Sequence, residues 1–222
     1  RTNRVLAEAI REAIEEASFP GDSIALLDNR EDVNALLQAE GLVDLIIPRG
    51  SNALVRYIQQ NTNIPVLGHA DGICHLYVDR AADFEKALKL TIDAKAQYPA
   101  VCNAIETLLI HREIAEKFLP RVVEALQLSK VEVRCAPSDI ETYHLEDVKE
   151  ATEADWVTEY GDLIISVKTV ASIEEAISHI NHYGSRHTET IVTEDGAAFE
   201  KFFAEVDSAG VFWNASTRFA DG

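Results

Sequence analysis

The sequence lacks any hydrophobic run near the length that crosses a bilayer, and its first residues lack a secretory signal pattern. These absences argue against a membrane or secreted protein. Hydrophobic residues make up 47% of the 222 residues and charged residues 26%, a balance typical of a soluble globular protein rather than a disordered one. The length suits one large domain or two modest ones.

Positive charge is scarce as well. The chain has 20 Lys and Arg residues against 38 Asp and Glu residues, which gives a formal net charge of -18 and a pI near 4.7. Because the long-range field repels polyanions, nucleic-acid and anionic-membrane partners are disfavoured. A small anionic ligand remains compatible, since a phosphate site needs only a few local amides and one or two cations.

Cysteine occurs only three times, at Cys74, Cys102 and Cys135, and never in a CxxC spacing. This pattern suits neither a disulfide framework nor a structural zinc site, and it favours a reducing cytoplasm. His179 and His182 are three residues apart on a predicted helix, but no third ligand falls at a zinc spacing. We therefore predict no metal site and a solvated helix face at these histidines.

No internal repeat or low-complexity segment is visible. The loop GHADG at 68–72 is the best candidate for a domain junction, because it is rich in Gly and polar residues between two predicted strands. The chain begins at Arg1 without an initiator methionine and stops at Gly222 in a predicted loop. We expect both ends to be cut from a longer protein.

The hydrophobic pattern alternates between helix-like and strand-like segments. A first helix follows a Thr2 or Asn3 cap and stops before the turn at 20–22. Further helices are predicted at 30–40, 51–60, 81–95, 112–128, 172–183 and 196–206, and strands at 23–27, 42–47, 64–67, 73–78, 106–110, 130–134, 163–170, 189–193 and 209–214. The polar, acidic stretch 138–160 receives no element. Strands separated by helices of this length predict right-handed crossovers and mainly parallel sheets, an α/β class.

One strand-to-helix turn has the features of a phosphate site. The apolar segment 42–47 leads into Pro48, Arg49, Gly50 and Ser51 before a predicted helix, so backbone amides at a helix N-terminus lie beside a guanidinium. An ordinary turn with a Ser cap has the same spacing. The pattern alone leaves both interpretations open.

Cys102 is the candidate nucleophile. It follows Pro99 in a loop after a long helix, and nucleophiles often occupy loops on rigid α/β scaffolds. An inert thiol remains the alternative. Cys74 and His75 are adjacent on a predicted strand and point to opposite faces, which argues against a Cys-His pair there. Cys135 has no base near it in sequence, and we interpret it as structural.

Five segments together resemble the γ-glutamyl phosphate reductase family of the aldehyde dehydrogenase superfamily. The resemblance spans nearly the whole chain and is carried by LVDLIIPRGSNAL, CHLYVDRAADFEKAL, YPAVCNAIETLLIH, HYGSRHTETIVTED and VDSAGVFWNASTRFADG. It implies an aldehyde dehydrogenase-like fold with parallel sheets and flanking helices. Residues 1–72 would be the later part of an NADP-binding domain, and residues 73–222 most of a catalytic domain that lacks its C-terminal end.

The resemblance also implies a reaction. Cys102 matches the catalytic cysteine of the family, whose thiolate attacks the γ-carbonyl of L-glutamyl 5-phosphate and holds the acyl group as a thioester. NADPH then supplies hydride, and L-glutamate 5-semialdehyde is released for proline biosynthesis. The backbone amide of Cys102 is the donor expected for the oxyanion.

Residues of the cofactor site follow from the same match. Arg49, Gly50 and Ser51 correspond to the turn near the cofactor phosphates, and Glu159 corresponds to the acidic residue that bonds the nicotinamide-side ribose. A surface acid in an acidic loop is the alternative for Glu159. The loop 67–71 contains no Glu that could activate water, which fits a reductase, although His69 and Asp71 remain as substitute bases.

The substrate's α-carboxylate is expected to contact Ser216, Thr217 and Arg218. Arg218 is the main candidate, because a guanidinium offers a planar two-point contact. A surface salt bridge is the alternative for this arginine.

The resemblance has limits and rivals. Family members begin before Arg1 and continue past Gly222, so this piece alone is expected to bind NADPH poorly and to turn over little. A homo-oligomer at full length and glutamate 5-kinase as a partner are further expectations. The alternatives are the reductase domain of a bifunctional Δ1-pyrroline-5-carboxylate synthase and a non-catalytic scaffold with an aldehyde dehydrogenase-like fold.

Overall fold

The computed structural model describes residues 2–27, 29–50, 52–68 and 71–220. The chain divides into a first unit, residues 1–70, and a second unit, residues 71–222. No helix among the described residues is long and apolar enough to span a membrane.

Three helices and a small core form the first unit. The helices are α1 (Thr2–Glu16), α2 (Arg30–Leu37) and α3 (Asn52–Gln60). The side chain of Asn29 caps α2 by accepting a hydrogen bond from the Asp32 amide at 2.8 Å, which satisfies one of the free amides of the first turn. The core of this unit consists of Leu37, Ile46, Ile58 and Ile64.

The three strands predicted for the first unit are wrong. Residues 24–27 are irregular after a 3₁₀ turn at Gly21–Ser23, and segments 42–47 and 64–67 meet only in the isolated bridge between Ile46 and Val66. A strand is stable only when it pairs with a neighbouring strand along its length, whereas these segments form isolated bridges or, at 24–27, none. Leu42 is accordingly 88% exposed and Ile47 64% exposed.

A parallel sheet of seven strands forms the centre of the second unit. Its order is β4-β3-β5-β2-β1-β6-β7, and every neighbouring pair is parallel. The strands are β1 (Cys74–Val78), β2 (Ile105–His111), β3 (Glu132–Cys135), β4 (Lys149–Glu150), β5 (Ile164–Val170), β6 (Thr188–Val192) and β7 (Gly210–Trp213). The structure confirms the predicted α/β class.

Helices cover both faces of this sheet. They are α4 (Phe84–Ala96), α5 (Arg112–Leu128), α6 (Pro137–Tyr143), α7 (Ile173–Tyr183) and α8 (Gly196–Glu205). Leu76 and Leu108 pack toward α4 and α5, whereas the next residues, Tyr77 and Leu109, pack toward α7 and α8. Each fully buried side chain of this size contributes about 1.5–3 kcal/mol, and the alternation fixes the register of both strands.

The stretch 138–160, for which no element was predicted, contains α6, β4 and a 3₁₀ turn at Glu153–Val157. Pro137 starts α6 at a position that needs no amide hydrogen. The carboxylate of Asp139 accepts hydrogen bonds from the amide and hydroxyl of Thr169, at 2.7 and 2.6 Å. This contact joins α6 to a distant strand, so no local sequence pattern reports it.

His179 is buried, and the predicted solvated face is wrong at this residue. Its ring lies 5.6 Å from the ring of His75, 5.4 Å from Trp156 and 4.6 Å from Tyr183, measured between centroids. Within the described residues neither of its ring nitrogens has a hydrogen-bond partner. Burial, with the nearby cationic forms of His75, Lys168 and His182, lowers the pKa of His179 to about 3.

We expect His179→Phe to make the protein less sensitive to acid. As the pH falls below 6.5, the unfolded chain binds a proton that the folded state excludes down to about pH 3, so stability is lost over that window. This group alone should remove about 2 kcal/mol between about pH 7.5 and pH 5. Urea unfolding at both pH values measures the difference.

The exposed His182, on the same helix, provides the control as His182→Gln. An acid loss of the same size in wild type and His179→Phe would contradict this prediction.

Candidate active site

Cys102 lies in the loop that joins α4 to β2. We call residues 97–104 the cysteine loop; it lies at the amino ends of the strands and contains a turn in which the Ala104 amide donates to the Val101 carbonyl at 3.0 Å. Cys102 is partly exposed, whereas Cys74 and Cys135 are buried. The thiol is therefore accessible to solvent in a loop that is anchored at one end by α4 and at the other by β2.

The other two thiols are poor nucleophiles. The Cys74 sulfur donates a hydrogen bond to the Cys102 carbonyl at 3.3 Å, and burial raises the pKa of Cys74 well above its usual value. Burial, with the charge of Asp139, raises the pKa of Cys135 to about 12. His75 points to the opposite face of the sheet, where it contacts Glu189 at 3.0 Å, as expected for neighbours on a strand.

Gly72 brings Glu159 close to the cysteine loop. An ideal Cβ on Gly72 would lie 2.6 Å from the Cα of Cys102, closer still to the Cys102 carbonyl oxygen, and 2.7 Å from a carboxylate oxygen of Glu159. Real Cβ atoms essentially never approach so closely, so only glycine fits at this point. The Glu159 carboxylate and the Cys102 backbone thus both face the side of Gly72 on which other residues carry a Cβ.

The segment 216–220 is bound to both ends of the cysteine loop. Arg218 donates from Nε to the side chain of Gln97 at 3.2 Å, and Asn103 donates from Nδ2 to the Ala220 carbonyl at 2.6 Å. The Ser216 hydroxyl caps a 3₁₀ turn by accepting from the Arg218 amide at 3.3 Å. The structure therefore brings Arg218 to the loop that carries Cys102.

Ser216 and Thr217 are buried within this segment. The Thr217 hydroxyl has no hydrogen-bond partner among the described residues. Their assignment as substrate contacts stays a prediction.

Sequence reasoning missed a buried ion pair behind the cysteine loop. Lys95 Nζ lies 2.6 Å from Glu106 Oε2, and both side chains are almost fully buried. Burial raises the pKa of Glu106 to about 7 and lowers that of Lys95, while the attraction between the two charges opposes both shifts. The one available signal was a Glu at the start of an otherwise apolar predicted strand.

The proposed phosphate turn lies in the first unit. Gly50 has a φ of +154°, a conformation that disfavours other residues, and it precedes the nine-residue helix α3. Arg49 is exposed, and none of the described carboxylates forms an ion pair with it. Ser51, predicted to bind cofactor, and His69 lie outside the described residues.

Comparison with known proteins gives a consistent family. Residues 2–160 match the aldehyde dehydrogenase family. The chain is 61% identical over 220 residues to a γ-glutamyl phosphate reductase of Synechococcus sp. (strain JA-3-3Ab), covering 99% of this chain and 48% of that protein. It is 55% identical over 222 residues to the one of Nostoc punctiforme, covering 100% of this chain and 51% of that protein.

Solved structures agree with these sequence matches. The crystal structure of γ-glutamyl phosphate reductase from Thermotoga maritima has a TM-score of 0.94 and 43% identity, and the match covers 99% of this chain and 53% of that one. A glyceraldehyde-3-phosphate dehydrogenase from Methanocaldococcus jannaschii in complex with NADP, at 18% identity and a TM-score of 0.76, shares the fold over 97% of this chain and 56% of its own. The resemblance found in the sequence is confirmed. The chain spans about half the length of the curated relatives it matches.

Gly72→Ala should destabilise the protein, because the added methyl group meets backbone atoms of Cys102 that cannot rotate away. Overpacking of this kind costs about 1–3 kcal/mol. Thermal unfolding compares this variant with Gly196→Ala, whose Cβ would meet no atom within 4 Å at the start of α8. The control should be neutral or stabilised by up to about 1 kcal/mol. Equal midpoints for the two variants would refute the close approach.

Proposed function

Because this chain belongs to the aldehyde dehydrogenase family, we propose that it carries the reductase chemistry that converts L-glutamyl 5-phosphate to L-glutamate 5-semialdehyde in proline biosynthesis. The similarity to γ-glutamyl phosphate reductases supports this substrate. The observation that supports this proposal most is that Glu159 and Arg218 both lie at the loop of Cys102, whose thiol is partly exposed. Three free cysteines suit the reducing cytoplasm in which we place the reaction.

Cys102 is the nucleophile of this proposal. Its thiolate attacks the γ-carbonyl carbon, the bond from that carbon to the phosphate oxygen breaks, and phosphate departs with the bonding electron pair. The glutamyl group then remains on the sulfur as a thioester. Covalent catalysis divides one difficult step into two easier ones, and a thiolate both attacks and leaves well.

The amide of Cys102 is suited to stabilise the oxyanion that forms during attack. Among the described residues no oxygen accepts a hydrogen bond from this amide. A hydrogen-bond donor that is already in place before the reaction stabilises a developing oxyanion most effectively.

The thioester must resist water until it is reduced. The loop 67–71 has no Glu to serve as a general base for hydrolysis. We assign Glu159 to the cofactor ribose, a role in which its carboxylate is occupied when the thioester is present. These two features favour reduction over hydrolysis.

The residues of the phosphate turn fit a nicotinamide dinucleotide. Gly50 allows the backbone to approach a ligand closely, and Arg49 supplies a cation without a described carboxylate partner. We propose that Arg49, Gly50 and Ser51 hold the phosphates of NADPH. When bound, the cofactor supplies the hydride that the thioester needs to become the aldehyde.

Arg218 is proposed to bind the α-carboxylate of the substrate, with Ser216 and Thr217 in the same segment. Its Nε is held by Gln97, so the two terminal nitrogens remain available for a planar contact with a carboxylate. A strongly acidic protein needs a local cation to hold an anionic amino acid.

The first test is made in the full-length enzyme, by which we mean a protein of the relatives' length that contains this chain. The reverse reaction uses glutamate semialdehyde, phosphate and NADP, and the formation of NADPH is followed by absorbance. Cys102→Ala should lose at least about 99.9% of kcat, and Cys135→Ala, which removes a buried thiol far from the loop, should retain most of it. A Cys102→Ala enzyme with more than about a tenth of the wild-type rate would end the covalent mechanism.

The second test concerns Arg218. Arg218→Lys keeps the charge but loses the two-point contact, so kcat should fall and the KM for the glutamyl substrate should rise, with Arg218→Ala worse. NADPH binding, measured by fluorescence, should stay unchanged in both variants. Arg121→Ala, at an exposed ion pair on α5, is the control. Loss of NADPH affinity with a normal substrate KM would assign Arg218 to the cofactor side.

A further inference from the structure

The buried ion pair of Lys95 and Glu106 joins the two sides of the cysteine loop. Lys95 lies in the last turn of α4, Glu106 is the second residue of β2, and Cys102 lies between them. The nitrogen and oxygen are 2.6 Å apart, and neither side chain is more than 1% exposed. The pair thus fixes the distance between the two elements from which the loop extends.

Glu106 also contacts the segment that carries Glu159. Its second oxygen accepts a hydrogen bond from the Gly161 amide at 3.3 Å. Gly161 has a φ of +60°, a left-handed conformation, and Lys95 Nζ lies 5.9 Å from the ring centre of Tyr160. One carboxylate therefore holds, with its two oxygens, the cysteine loop on one side and residues 159–161 on the other.

Stability alone does not account for this pair. Moving two charges out of water is costly, and well-packed apolar side chains of similar volume often serve the fold as well or better. What the charged pair adds is a fixed relative orientation of α4 and β2, because its hydrogen bonds act over a narrow range of distance and angle. The groups that it orients converge on Gly72, where the Cys102 backbone and the Glu159 carboxylate both lie within 3 Å of the position that a Cβ would occupy.

We propose that Lys95 and Glu106 are positioning residues of the reaction, which hold Cys102 and Glu159 in their working arrangement through the cysteine loop and the Gly161 amide. This inference rests on the proposed function of the two residues that they position. Both side chains are almost fully buried, so they act through the residues that they hold.

The test replaces both members at once in the full-length enzyme. Lys95→Met/Glu106→Leu leaves no unpaired buried charge, so we expect a folded protein whose Tm stays within about 5 °C of wild type. Its kcat should fall tenfold or more, since a displacement of about 1 Å near the chemistry can cost a hundredfold, while substrate KM changes little. Alkylation of Cys102 by iodoacetamide should become at least about threefold faster, because a released loop exposes a sulfur that is now partly covered.

The exposed pair of Glu85 and Arg121, which joins α4 to α5 at 2.6 Å, is the matched control. Glu85→Ala/Arg121→Ala should leave kcat and the alkylation rate unchanged. A folded Lys95→Met/Glu106→Leu enzyme that keeps more than a tenth of kcat would overturn the positioning role. If that variant does not fold, the test passes to Lys95→Gln/Glu106→Gln, which also leaves no buried charge and keeps an acceptor for the Gly161 amide; more than a tenth of wild-type kcat in this variant would overturn the positioning role.

The two proposals can fail separately. If the wild-type enzyme has no reductase activity, the proposed function is refuted. The positioning role is then tested only by the rate at which iodoacetamide alkylates Cys102 in the double variant and in wild type. A rise of less than threefold in the double variant would then overturn the positioning role.

Discussion

Both faces of the sheet in the second unit are covered by helices, so a carboxylate buried on one of its inner strands needs a partner inside the protein. β1 and β2 are buried along their whole length. Glu106 pairs with Lys95 and Glu189 with His75 under this constraint. The first pair joins α4 to the strand that follows it, and the second joins two strands that are distant along the chain, β1 and β6. Both pairs constrain the position of the loops at the ends of these strands.

The amino edge of the sheet is where these loops meet. The cysteine loop precedes β2, Gly72 precedes β1, and Glu159 precedes β5. Because the central strands are parallel neighbours, the segments that enter them arrive side by side. A thiol, a carboxylate and, through segment 216–220, a guanidinium are assembled there without any one of them being adjacent to another in sequence.

The second unit could be predicted from the sequence because most of its strands are short apolar or alternating segments separated by helices of crossover length. The predicted helix 112–128 coincides with α5, despite Pro120 inside it. The first unit could not be predicted in this way, because whether residues 42–47 form a strand depends on the presence of neighbouring strands rather than on their composition. The local hydrophobic pattern shows that a segment can form a strand, but whether it does depends on the presence of a neighbouring strand to pair with.

The candidate site divides in the same way. Cys102 stood out because its loop interrupts the periodic pattern, and Arg218 and Glu159 were reached only through resemblance. Lys95 gave no signal, since a lysine on an amphipathic helix is ordinarily a solvated residue. Its burial results from one partner on the next strand, a contact that is visible only once the helix and strand are packed.

The separation of these groups along the chain has a consequence for how the site is assembled during folding. Lys95 and Glu106 are 11 residues apart, so the unit of β1, α4 and β2 can close locally around the cysteine. The contact of Glu106 with Gly161 spans 55 residues, and those of segment 216–220 with the loop span 117 and 121. Because long-range contacts form later than local ones, a chain emerging from the ribosome contains Cys102 well before Gly161 and segment 216–220 can make their contacts. During that interval the Cys102 sulfur lacks the contacts that partly cover it in the folded protein, so it is more accessible to oxidants.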